Sequence, residues 1–223
     1  MYIRDLKGLK FPDNALIKFF FKNKLDKEKG KTVLEFACSN GNNLSLFASY
    51  DYKCLGVDFN AENIKNANYN FKEVIAAKNY EFFNENVFDF VQKKEGINAD
   101  VFLMPNFINY LKREDFLSLL KQSKEAKIYK KDSMFFLRTR SIKDYRYGLG
   151  EELGLNSFKM SDDSTKELNC INTLYQEHEL VQYLRDYLNL YDFTVLNYDS
   201  STVFENRIAF DSDIVIYGRI RWK

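Results

Sequence analysis

The residues best suited to ligand chemistry are a run of small side chains, Ala37-Cys38-Ser39-Asn40-Gly41, and a single carboxylate, Asp58, placed 17 residues beyond Gly41. Thr32 to Ala37 is apolar and strand-like, and Asn42 to Tyr50 has helical spacing. A turn of small residues between a strand and a helix lets a ligand approach the backbone. The helix N-terminus behind it offers N–H groups that have no intrahelical partner. Lys53 to Asp58 forms a second apolar run. A carboxylate at the end of a second strand, about 20 residues after such a turn, can accept hydrogen bonds from both hydroxyls of a ribose. The pair therefore describes a site for a nucleoside-bearing ligand.

A second group of reactive side chains lies between Leu137 and Gly150. Arg138, Arg140, Lys143 and Arg146 alternate there with Tyr145 and Tyr147. Guanidinium forks match phosphate and carboxylate geometry, so the stretch reads as an anion clamp. The competing reading is a charged surface loop neutralised by Asp144 and Glu151. His178 is the one histidine and hence the default general base. Tyr175 is a candidate to line the cleft and to join His178 as a catalytic residue, and Arg207, in a loop between the last two strands, a candidate to reach over it.

These residues need a scaffold, and the apolar pattern supplies one. Behind Phe11-Pro12-Asp13, Ala15, Leu16, Phe19 and Phe20 have helical spacing. Residues 1–30 are expected to form an N-terminal helical cap. Short apolar runs at 32–37, 53–58, 80–83, 99–104 and 133–138 then alternate with helical stretches at 42–50, 61–77 and 113–123. That alternation predicts βαβ units and a mostly parallel, doubly wound α/β sheet. Residues 140–173 read as irregular, and 138–175 as an insertion on the substrate side. A helix is expected over 177–188. Strands at 191–198 and 213–222 lie too close for a crossover helix, so they predict an antiparallel hairpin closing a seven-stranded sheet. Nothing divides the chain, so 1–223 is expected to be one domain.

Composition narrows the chemistry. Lys and Arg total 33 against 32 for Asp and Glu, leaving a net charge of +1. No basic stripe suited to nucleic acid is present, so a small-molecule partner is expected. Cys38, Cys54 and Cys170 are odd in number and include no CxxC pair, which argues against a disulfide framework. With one histidine, no metal site is expected. Met1 to Lys10 has no apolar core of a leader, and no run approaches membrane-spanning length, so the chain reads as cytoplasmic, with no membrane partner.

The segments Val33–Asn43 and Leu55–Ala67 resemble the cofactor motifs of class I methyltransferases that use S-adenosylmethionine (SAM). The parallel sheet with a terminal hairpin is the arrangement of that family. Its first turn reads acidic-x-Gly-x-Gly-x-Gly, which Glu35, Ala37, Ser39 and Gly41 match with two glycines replaced. Ala and Ser are small enough to keep close approach if φ stays negative there. By resemblance, Asp58 and Phe59 bind cofactor, Asn86 bonds the adenine amine, and the Val87 N–H faces the ring. Met104 belongs to the same cofactor set. Asn106 and Asn109 follow the fourth strand, where the family faces its substrate. Asp144-Tyr145-Arg146-Tyr147-Gly148 resembles small bacterial methyltransferases associated with surface-glycan and capsule synthesis. This implies O-methylation of an anionic acceptor: phosphorylated, phosphoramidate or nucleotide-linked. Protein or RNA methylation would need a basic face. The missing glycines leave open a non-catalytic SAM-binding module.

Overall fold

The computed structural model describes residues 3–161, 167–204 and 207–222, with the side chains of Phe204 and Arg207 outside the description. Seven strands form the main sheet in the order β3-β2-β1-β4-β5-β10-β9. They are β1 (Thr32–Phe36), β2 (Lys53–Asp58), β3 (Tyr80–Asn84), β4 (Ala99–Pro105), β5 (Tyr129–Arg140), β9 (Tyr191–Phe204) and β10 (Arg207–Ile220). β1 to β5 run parallel, and β10 pairs antiparallel with both β5 and β9.

Central strands are apolar throughout because both faces are covered. Along β4 the side chains alternate: Val101 and Leu103 join one buried cluster, and Phe102 and Met104 the other. The first cluster is closed by α1 (Asn14–Lys22), α2 (Asn42–Ala48) and α3 (Ala61–Tyr69), through Leu16, Phe19, Phe20, Leu44, Phe47 and Ile64. The second is closed by α4 (Val87–Lys93), α5 (Arg113–Glu125) and α6 (Glu177–Leu188), through Phe90, Phe116, Leu120, Leu180 and Leu184. Asp13 caps α1, its Oδ1 accepting from Ala15 N and Leu16 N at 2.8 and 3.2 Å. At the opposite end of the sheet from the β1–α2 turn, Trp222 donates from its indole to Tyr129 O at 2.9 Å.

Three features depart from the sequence expectation. The helix α4 was not expected. Residues 140–173 are not wholly irregular: β6 (Glu151–Gly154), β7 (Ser157–Lys159) and β8 (Ile171–Thr173) form a small antiparallel sheet. β9 and β10 extend far into the expected loop, so Arg207 opens β10, its backbone paired with Phe204. Whether its side chain reaches the cleft lies outside the described residues.

Candidate active site

The β1–α2 turn departs from the conformation expected of Ala and Ser. Ala37, Ser39 and Gly41 all have positive φ, at 53°, 49° and 76°. The backbone thus takes the path of a three-glycine turn although two glycines are absent. Left-handed Ala and Ser cost about 1 kcal/mol each. Ala37→Gly and Ser39→Gly are therefore expected to stabilise the fold by up to about 1 kcal/mol in thermal denaturation. A loss of stability would show that the removed side chains contribute more through packing. Gly41 itself is fixed by space as well as by φ: a Cβ there would lie 2.9 Å from the Phe71 ring.

Two backbone contacts hold the turn against β2. Cys38 N donates to Val57 O at 3.0 Å, and Ser39 N donates to Asp58 Oδ2 at 2.9 Å. Asp58 Oδ1 accepts from Asn60 N at 2.8 Å, which fixes the start of α3. The carboxylate is 6% exposed, and each oxygen keeps acceptor capacity toward the adjoining cleft.

That cleft has a volume of about 650 Å³ and opens at the carboxyl ends of β1, β2 and β4. Ala37, Asp58, Phe59, Asn86, Val87 and Phe107 line it. Phe59 is 79% exposed, a large aromatic face left without cover. Asn86 accepts from Phe88 N at 2.9 Å, capping α4, and its amide group remains at the cleft wall. Ser39 and Gly41 shape the turn without lining the cleft, and Met104 is fully buried in the core. Glu35 is also set back from the cleft wall. It is 1% exposed, its Oε1 accepts from Asn43 Nδ2 at 2.6 Å, and its Oε2 has no partner. Burial, helped by nearby Asp13 and Asp58 and opposed by the Asn43 bond, pushes its pKa up to about 8.

A smaller polar pocket of about 160 Å³ adjoins the cleft. Asn106 and Tyr110 line both spaces, so the boundary between them is where a group held in one meets a group held in the other. Asn109, Arg140 and Arg146 line the polar pocket together with Asp144, Asp211 and Asp213. Four of the residues expected to contact substrate, Asn106, Asn109, Arg140 and Arg146, are thus brought together.

The expected anion clamp is corrected by their partners. Arg138 donates to Asp13 Oδ2 and Asp213 Oδ2, both at 2.6 Å. Arg140 donates to Glu167 Oε1 at 2.5 Å and Asn172 Oδ1 at 2.9 Å. Arg146 meets Asp144 at 2.9 Å, Glu167 at 3.2 Å and Asp211 at 3.6 Å. Asp13, Asp144, Glu167, Asp211 and Asp213 outnumber the three guanidiniums, so the cluster has no excess positive charge. The neutralising partners are these carboxylates rather than Glu151. Tyr145 stacks under the Arg146 guanidinium at 4.3 Å, and Tyr147 donates to Asn156 at 3.2 Å. Neither lines the pocket.

The two expected catalytic residues lie elsewhere. His178 is exposed on the first turn of α6 and lines neither space. Tyr175 is fully buried against Phe116 and Arg113, and burial pushes its hydroxyl pKa up. It is a core residue. The sequence reading missed Tyr110 and Glu167, whose hydroxyl and carboxylate meet at 2.6 Å, and Asp213. Only the proximity of Tyr110 to Asn109 signalled any of them. Among the described residues no cluster of metal ligands occurs, and no helix is long and apolar enough to cross a membrane.

No family model and no curated protein matches the sequence. Solved structures do. A SAM-dependent methyltransferase from Methanosarcina mazei superposes with a TM-score of 0.68 at 18% identity, covering 95% of this chain and 100% of that one. A putative methyltransferase from Bacillus halodurans C-125 gives 0.66 at 11% identity, over 94% and 99%. Magnesium protoporphyrin IX methyltransferase from Synechocystis PCC 6803, solved with bound SAM, gives 0.58 at 13% identity, over 93% and 78%. Strand order, the reversed terminal strand pair and these superpositions give the chain the Rossmann-like fold of class I methyltransferases.

Proposed function

We propose that the chain binds SAM in the large cleft and transfers its methyl group to a small-molecule acceptor in the adjoining polar pocket. The observation that carries this reading is Asp58. It is a nearly buried carboxylate at the carboxyl end of β2, with acceptor capacity on both oxygens, facing a cleft of nucleoside size. The donor set fits the cofactor. Asp58 accepts from the two ribose hydroxyls, Asn86 offers its amide to the base edge, and Phe59, Val87 and Phe107 provide apolar walls. The left-handed turn at Ala37 and Ser39 keeps the backbone low beneath it.

SAM supplies a methyl group already activated on a sulfonium, so the protein's part is alignment and desolvation. Asn106 and Tyr110 stand at the boundary across which the acceptor atom must face that methyl. Oxygen is the proposed acceptor atom, supported by the family resemblance of the 144–148 stretch. A role in surface-glycan synthesis has that same single support. The small pocket volume favours a metabolite over a polymer.

Calorimetry with SAM and with S-adenosylhomocysteine tests the cofactor assignment. One site per chain with a micromolar dissociation constant is expected, together with a rise in melting temperature. No heat and no thermal shift with either compound would sink the proposal.

A further inference from the structure

We infer that the polar pocket takes a hydroxyl-bearing acceptor group without negative charge, held by Asn109 and deprotonated by Asp213. The inference rests on the methyl-transfer reading above and names the class of acceptor. Asn109 is 2% exposed, lines the pocket, and its carboxamide has no hydrogen-bond partner among the described residues. The Asn109 amide is thus committed to no described protein partner and lines the cavity, where it presents two donors and an acceptor. Asp213 has Oδ2 engaged by Arg138, while Oδ1 has no hydrogen bond among the described residues. Its carboxyl is also shifted upward, mainly by burial, with Arg138 opposing.

Charge sets the class of ligand. The pocket wall has Asp144, Asp211 and Asp213 against Arg140 and Arg146, and Glu167 and Asp13 behind it outweigh Arg138. An anionic group would have to displace carboxylates from the guanidiniums before it gained a fork of its own. A neutral or cationic polyol, such as an amino sugar, needs no such exchange. Its hydroxyls donate to Asp211 and Asp213 and pair with the Asn109 amide. In the transfer step the hydroxyl oxygen's lone pair forms the new bond to the methyl carbon. The sulfur–methyl bond breaks with its electron pair returning to sulfur, and the hydroxyl proton passes to Asp213 Oδ1.

The test incubates the protein with methyl-tritiated SAM and the small-molecule extract of the cells that make it. Labelled products are then separated by charge at neutral pH. Label in neutral or cationic products is expected. Label confined to products retained on an anion exchanger overturns the inference while leaving methyl transfer intact. No labelled product, with S-adenosylhomocysteine still raising the melting temperature, overturns small-molecule methyl transfer itself and the inference with it.

Two variants separate positioning from folding. Asn109→Ala is expected to raise the acceptor KM more than tenfold, and Asp213→Asn to lower kcat more than a hundredfold. Both should keep the S-adenosylhomocysteine thermal shift. Unchanged kinetics in both variants overturn the assigned roles. Binding of millimolar inorganic phosphate by the wild type but not by Asn109→Ala would overturn the charge argument directly.

Discussion

Replacing Asp58 with Ala is expected to weaken SAM binding by at least about a hundredfold. Two hydrogen bonds from ribose hydroxyls to a carboxylate are lost, each contributing about 1.5–3 kcal/mol, and tenfold in affinity corresponds to about 1.4 kcal/mol. The substitution acts twice. Asp58 also accepts from Ser39 N and Asn60 N, so the β1–α2 turn and the start of α3 lose an anchor together. A fall in stability of about 1–3 kcal/mol should accompany the affinity loss, because two partly buried N–H groups lose their acceptor. Asp58→Asn separates the effects: one carbonyl oxygen survives, so binding should fall less while the fold is largely kept. Calorimetry on both variants at a temperature well below melting measures this. Wild-type affinity in Asp58→Ala would show that the cleft does not hold a ribose at β2.

The second large effect concerns pH. In the folded chain Glu35 keeps its proton up to about pH 8, whereas in the unfolded chain it loses it near the ordinary value of 4.5. Between those limits the unfolded state binds fewer protons, so stability falls as pH rises through the window. Above about 8 both states are ionised and this contribution levels off. Each pH unit of full difference corresponds to about 1.4 kcal/mol, so the total reaches a few kcal/mol. Glu35→Gln copies the protonated side chain, keeps an acceptor for Asn43 Nδ2 and removes the titration. Denaturant unfolding near pH 5 and near pH 8 should show the variant gaining on the wild type at the higher value. The difference between the two proteins cancels the opposite trend of groups such as Glu167, whose pKa is lowered by Arg140, Tyr110 and Arg146 against the effect of burial. Parallel pH profiles for the two proteins would mean that Glu35 is ionised in the fold.

The frame and half of the site were legible in the sequence because their signals are local. Thr32–Phe36 and Lys53–Asp58 are buried on both faces and so appear as mostly apolar runs without polar alternation, interrupted in the first only by Glu35, and Asp58 and Phe59 follow from where the second one stops. Helix α4 has seven residues, too short for a periodic pattern, and only its Asn86 cap marks it. The outer halves of β9 and β10 escaped because they pair only with each other beyond the core, and Asp199-Ser200-Ser201-Thr202 reads as a loop. The positive φ at Ala37 and Ser39 was not legible because residue type argues against it. The surrounding contacts, Ser39 N to Asp58 above all, overrule that preference. The arginines were visible, but their partners were not. Arg138 meets Asp13 across 125 positions of sequence and Asp213 across 75, and no local pattern encodes such pairs. His178 and Tyr175 were chosen by residue type alone, and the packing of α6 and α5 decided their places instead.

Trp222 is the single tryptophan of the chain, and its indole is tied to Tyr129 O at the end of the sheet remote from Asp58. Its fluorescence therefore follows the integrity of the whole sheet and is insensitive to what fills the cleft. The molecule carries a built-in optical reporter of unfolding that a nucleoside in the site neither stacks upon nor quenches by contact.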